Sequence, residues 1–368
     1  MRRIQFNDLY SQYLQCKDAI DSGISRVIEN SSFVRGKEVE EFELAFAKIT
    51  CRNNTISCAN GTDAIFACLK ALEIMPGDEV IVPAHSWIST SEVVTQAGGV
   101  VVFAEVDPSS YTIDPESINE RITGRTVGII PVHLYGHPAD MDPIMAIARK
   151  HGLWVIEDCA QAHLAKYKNN QVGSFGVAAT YSFYPGKNLG AFGDAGAITT
   201  DSSELATKLT RYCRHGGLFK GEHLMEGINS RMDTLQAVVL SAKLQYLEEW
   251  TKKRRVISEW YADALSLIPG IVTPIVSEGC THVWHLYVVR VDKRDELKGF
   301  LHQKGIPALV NYPISLPFLP AYSYQKNKEA DFPVSSSNQQ RILSLPMHPF
   351  LSSDDIGYIH DSIVSFYS

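Results

Sequence analysis

Through about its first 240 residues the chain alternates short runs of β-branched and apolar residues with helical stretches of about three turns. That alternation restricts it to an α/β fold on a mostly parallel sheet, because parallel neighbours need a helical crossover between them. Glu79-Val80-Ile81-Val82-Pro83, Gly99 to Val106, Val127 to Val132, Trp154-Val155-Ile156 and Ala178 to Phe183 read as buried strands. Thr62 to Leu72, stopped by Met75-Pro76-Gly77-Asp78, and Met141 to His151 read as helices. From Met232 to Tyr261 apolar residues recur at every third or fourth position, among them Leu235, Val238, Val239, Leu244 and Leu247. This predicts one long helix leading into a second unit. Beyond it, a strand at His285 to Val291 and a helix at Asp295 to Lys304 imply a smaller α+β domain. The expected division is 1–240 and 241–368, with the long helix at about 232–261 joining the two.

The charge balance narrows the ligands. There are 34 basic and 41 acidic residues, a net −7, so no global basic field draws in nucleic acid or an anionic membrane surface. Any anionic ligand must be held by a local constellation. The longest apolar stretches, such as Ala97 to Val106, fall short of the roughly 20 residues a membrane helix needs. Met1 to Asp8 lacks the apolar core of a secretory signal, and a cytoplasmic location is expected. The seven cysteines are odd in number, scattered and without a CxxC pair, which fits reduced thiols rather than a disulfide framework.

Two residues stand out for chemistry. Asp158 and Lys187 each lie just past a predicted buried strand, where ligands of open parallel sheets gather. A lysine there can form a Schiff base with the aldehyde of pyridoxal phosphate, and a carboxylate can keep the pyridine nitrogen protonated. Taken alone, both read more simply as surface loop residues. Asn60-Gly61-Thr62-Asp63 opens a predicted helix, which makes either an anion site or an ordinary cap. Ser182, five positions before Lys187, would offer a hydroxyl to the same anion or serve as a plain strand residue.

Several other motifs lead nowhere. A P-loop reading of Gly186-Lys187 fails, because its required glycine and hydroxyl positions hold Tyr181 and Asn188. Glycines 186, 190, 193 and 196 do not follow a strand in GxGxxG spacing. His282 and His285, on a predicted strand, would point to opposite faces, so no metal site is expected. Lys252-Lys253-Arg254-Arg255 reads as a solvated helix face or, alternatively, a diphosphate contact.

Five ordered segments carry a family resemblance. The run from Ser182 through Tyr184-Pro185-Gly186-Lys187-Asn188 to Ala197 resembles the lysine segment of the DegT/DnrJ/EryC1/StrS sugar aminotransferases. Glu157 to His163, Gly227 to Ala237, Val132 to Gly136 and Arg35 to Glu43 are similar to further segments of that family. The resemblance implies fold type I of the pyridoxal-phosphate enzymes: a large, mostly parallel-sheet cofactor domain, a smaller C-terminal domain, and a homodimer with shared active sites. It implies Lys187 as Schiff-base lysine and proton shuttle, Asp158 on the ring nitrogen and Gln161 near the phenolic oxygen. Gly61, Thr62, Asp63 and Ser182 would hold the phosphate, with Asn229 reaching in from the second subunit. Trp87 would stack on the ring. His163, His85, Arg231 and Tyr312 are carried over as candidate substrate contacts, with a structural role as the competing reading of His163, His85 and Arg231.

The implied reaction takes an amino group from glutamate to a nucleotide-linked keto sugar, for surface polysaccharide or glycan synthesis. The lysine context is similar to the enzymes acting at C-3 of dTDP-3-keto-6-deoxyhexoses. Amination at C-4 of a dTDP-, UDP- or GDP-sugar is the alternative. Asn311-Tyr312-Pro313 to Leu319 departs from the His-Tyr-Pro pattern of many relatives, which leaves the hexose open. Sugar dehydratases of this fold carry histidine in place of the lysine, so Lys187 argues against that reaction. A non-catalytic, cofactor-binding regulator is a more remote reading.

Overall fold

A computed structural model describes residues 2–368. Its large unit is a seven-stranded sheet in the order Asn54–Cys58, Gly196–Thr200, Ala178–Ser182, Trp154–Asp158, Thr126–Ile129, Glu79–Pro83, Val100–Ala104. Only Gly196–Thr200 runs antiparallel to its neighbours. The predicted helix over Met141–His151 forms over those residues, and strand Glu79–Pro83 is buried throughout. Two cores cover the two faces of the sheet: one holds Phe42, Phe46, Ile129 and Val155, the other Ile65, Leu69, Val80 and Ile156. Register fixes what lies at the carboxyl edge. Gly196 pairs with Cys58 on one side and Ser182 on the other, so those strands end in one row.

The small unit packs the antiparallel strands Ile271–Val272, Tyr287–Val291 and Ile342–Leu345 against helices Leu247–Leu265, Arg294–Gln303 and Ser353–Tyr367. Its core includes Ile257, Tyr261, Val289 and Ile359, and also Ile4 from the start of the chain. Conversely, Leu316, Tyr322 and Phe332 return to the core of the large unit.

The single long helix expected at 232–261 is two helices, Thr234–Leu244 and Leu247–Leu265, broken at Gln245 and Tyr246. The first buries Ala237 and Leu240 in the large core, whereas the second buries Ile257, Tyr261 and Leu265 in the small one. One straight helix has a single apolar stripe per side, and the break re-aims it. The basic run also divides. Lys252 and Lys253 pair with Glu248 and Glu249 on the surface, but Arg254 is buried and donates to the carbonyls of Trp284 and Met347. His282 and His285 lie between strands rather than on one: Nδ1 of His282 accepts the Trp284 N–H, and His285 pairs with Asn188. Among the described residues no helix is long and apolar enough to cross a membrane, and all seven cysteines are unpaired.

Candidate active site

Where the strands ending at Cys58, Pro83, Asp158 and Ser182 reach the carboxyl edge, they open into a cavity of about 790 Å3. Its wall includes Gly61, Thr62, Asp63, Trp87, Asp158, Gln161, Ser182, Lys187 and Tyr312. Nine separate sequence candidates therefore meet in one place. The volume suits a cofactor with part of a substrate.

One end of the cavity is built for an anion. Asn60 caps the helix Gly61–Ala71, its Oδ1 accepting the Asp63 N–H at 2.8 Å. Asp63 is thus committed by its amide to the cap, and the Gly61 and Thr62 amides, which have no intrahelical acceptor, are left for a ligand. Hydroxyls surround them: Thr62 Oγ1 lies 2.7 Å from Ser89 Oγ, and Ser182 is adjacent. A Cβ on Gly61 would stand 2.8 Å from Ser182 Cβ and 3.2 Å from its Cα. Only glycine lets this helix start so close to the strand. Gly61→Ala is accordingly expected to raise the dissociation constant for pyridoxal phosphate by about 10- to 100-fold, the affinity equivalent of an overpacking strain. Fluorescence titration of the cofactor checks this, and unchanged affinity would remove the phosphate assignment.

The other end holds a buried carboxylate. Asp158 Oδ2 accepts from Thr90 Oγ1 at 3.0 Å and Oδ1 from the Ala160 N–H at 3.1 Å. Burial pushes its carboxyl above the usual range, while the Ala160 amide, Thr90 and Lys187 pull it back. A carboxylate so placed gains from a further cation, which a protonated pyridine nitrogen supplies. Burial draws the Lys187 amine down to about 8, with Asp158 acting in the opposite sense. A lysine with that value carries a sizeable neutral fraction near neutrality, as a nucleophile and proton acceptor requires.

Gln161 is oriented by its neighbours. Its Oε1 accepts the Tyr135 N–H at 2.6 Å, so Nε2 must be the end that faces outward, and it donates to Tyr312 Oη at 3.0 Å. That leaves a second N–H for a phenolic oxygen. Tyr312 lies with its ring 5.2 Å from Trp87, whose side chain is 55% exposed at the cavity mouth. The donors, the anion seat and the buried carboxylate together fit pyridoxal phosphate.

Four candidates fall outside this wall. His163 is buried between Tyr181 and Phe183, with neither ring nitrogen bonded, and burial brings it down to about 3. It stays neutral there and does not reach the cavity. His85 is buried one layer behind, between Ser315 Oγ and Tyr135 Oη, where it supports the loop carrying Tyr312. Arg231 is half-buried and outside the cavity, and Asn229 is exposed on the surface of the chain. Ser230 between them accepts the Ala59 N–H at 3.1 Å, which docks this segment beside the anion loop.

Sequence reasoning missed Thr90, Ser89 and Tyr135. Ser89 opens the helix Ser89–Gln96 just beyond strand Glu79–Pro83, and that strand-to-helix junction was the available signal. Tyr135 lies in the Val132 to Gly136 segment, but nothing local marks its role; its left-handed backbone (φ 58°) accompanies the amide bond that orients Gln161. A buried cluster of His133, Glu157 and Cys159 is internally satisfied. Glu157 accepts from His133 Nε2 and from the amides of Gly173, Phe175 and Gly176. Burial opposes its ionisation, but these bonds outweigh it and hold the carboxyl low.

Comparison with known proteins agrees with the geometry. The DegT/DnrJ/EryC1/StrS aminotransferase family matches residues 15–364. The chain is 41% identical to the dTDP-3-amino-3,6-dideoxy-alpha-D-galactopyranose transaminase of Aneurinibacillus thermoaerophilus, over 98% of each protein. It is also 41% identical to the UDP-2-acetamido-2-deoxy-3-oxo-D-glucuronate aminotransferase of Pseudomonas aeruginosa, covering 97% of this chain and 98% of that one. The crystal structure of DesV from S. venezuelae superposes with a TM-score of 0.97 at 38% identity, covering 100% of this chain and 99% of that one. The chain belongs to the DegT/DnrJ/EryC1/StrS aminotransferase family and is a pyridoxal-phosphate-dependent sugar-nucleotide aminotransferase.

Proposed function

We propose that the protein transfers the amino group of glutamate to C-3 of a dTDP-linked 3-keto-6-deoxyhexose. The observation that carries the transferase reading is the meeting of Lys187, Asp158 and Gln161 in one cavity beside a free helix N-terminus. The position on the sugar is supported by the two relatives, whose names place nitrogen or ketone at C-3. The dTDP choice follows the first of them.

Pyridoxal phosphate supplies an aldehyde for a lysine amine and a cationic ring that draws electrons from the bond being broken. Lys187 would provide that amine and would serve as the base that accepts and returns the substrate proton. Asp158 would hold positive charge at the ring nitrogen, Gln161 Nε2 would donate to the phenolic oxygen, and Gly61, Thr62 and Ser182 would seat the phosphate. Trp87 would stack on the ring, with Tyr312 beside it toward the side where the sugar enters. A second copy of the chain supplies Asn229 to the phosphate. Support for that comes from its exposure, from the docking of Ser230 at Ala59, and from exposed apolar side chains such as Tyr10, Phe192, Phe219 and Leu224, area of the kind a stable dimer covers.

The test is to incubate the cofactor-loaded protein with glutamate and either dTDP-3-keto- or dTDP-4-keto-6-deoxyglucose, then locate the new C–N bond by NMR. Reaction at C-3 is expected. Exclusive reaction at C-4 overturns the assignment of position and leaves the transferase reading intact.

A further inference from the structure

Lysine is rarely buried without a charged partner, yet Lys243 is 1% exposed and forms no ion pair among the described residues. Removing an ammonium from water is costly, and burial draws its value down to about 8. Its Nζ donates to the carbonyl of Gly190 at 2.7 Å and lies 4.8 Å from the Phe192 ring. Both partners sit in the turn that follows Lys187. Seven residues earlier on the same helix, and so on the same face, Gln236 Oε1 accepts the Phe192 N–H at 2.8 Å.

The turn these two side chains grip has little slack. A Cβ on Gly190 would stand 2.3 Å from the Pro185 carbonyl oxygen, and the Ala191 N–H donates to Phe183 at 2.8 Å. A shift at Gly190 is therefore passed back along the turn toward Lys187, whose own N–H is bonded to Tyr184. Burial and Asp158 are the main influences on the Lys187 amine and Lys243 is not among them, so Lys243 acts on it by geometry. We infer that Lys243 is a positioning residue, its buried ammonium clamping the Gly190–Phe192 turn and thereby fixing where the Lys187 amine sits.

Were Lys243 merely a packed core residue, a methionine of similar length would be neutral or stabilising, as replacements of buried charge often are. The experiment compares Lys243→Met, which removes the donor, with Lys243→Arg, which keeps a cation. In cofactor-free protein, amide hydrogen exchange at Ala191 and Phe192 is expected to quicken about tenfold in the methionine variant and to recover in the arginine variant. In loaded protein, kcat is expected to fall about 10- to 100-fold with KM for the sugar nucleotide within about twofold. The pH midpoint of the visible cofactor band should shift as well.

A methionine variant with wild-type exchange, kcat and midpoint overturns the inference. If that variant does not fold, Lys243→Gln, too short to reach Gly190, takes its place under the same criteria. The inference rests on Lys187 being the reacting lysine. Wild-type protein that takes up no cofactor defeats that reading, whereas an indifferent Lys243→Met beside a competent wild type defeats only this one.

Discussion

Lys187→Ala is expected to lower turnover by at least about 10,000-fold, because one side chain serves as both nucleophile and proton carrier. Steady-state assays with glutamate and the keto sugar measure the loss. Purified wild type should show a visible cofactor band that borohydride fixes covalently, and the variant should bind cofactor without that fixation. A variant still trapped by borohydride, or a wild type colourless with added cofactor, would sink the assignment. The pH dependence follows from the buried amine. Burial lowers Lys187 to about 8, and only the unprotonated form attacks an aldehyde. Uptake of added pyridoxal phosphate by the cofactor-free protein should therefore accelerate from about pH 7 to about pH 9 and level off above, where the amine is already neutral. A rate that falls over that interval would contradict the lowered value.

Asp158→Asn should keep the cofactor bound and attached to Lys187 while lowering kcat about 100- to 1,000-fold, the usual scale for removing one preorganised electrostatic partner. The amide oxygen can still accept the Ala160 N–H, so the strand end is preserved, but the charge that sustains a protonated ring nitrogen is gone. The cofactor band together with kcat separates this from simple unfolding. Activity within threefold of wild type would show that the ring nitrogen is held by something else.

Much of this site was legible in the chain. Short runs of β-branched and apolar residues placed, to within two residues, the strands that end at Pro83, Asp158 and Ser182, and the residues just past such strands are those a parallel sheet gathers at one edge. Local chemistry likewise marked Asn60-Gly61-Thr62 as a helix start. Partners far apart in sequence left no such mark. Thr90 bonds Asp158 across 68 positions and Lys243 bonds Gly190 across 53, and no periodicity connects them. His163 shows the other limit: its position beside Asp158 and Gln161 in the motif left a substrate contact and a structural role both open, and only packing sets its side chain in the layer formed with Tyr181 and Phe183.

The sequence alone determined the α/β class, the negative balance that demands a local anion seat, and the lysine and carboxylate at successive strand ends. These follow from short-range patterning, from counted charges and from motifs. Tertiary structure decided which amides remain free at Gly61 and Thr62, which end of Gln161 faces the cavity, and where the helix after Asp233 must break to serve two cores. Each of these is settled by hydrogen-bond satisfaction and packing between segments that meet only once the chain has folded.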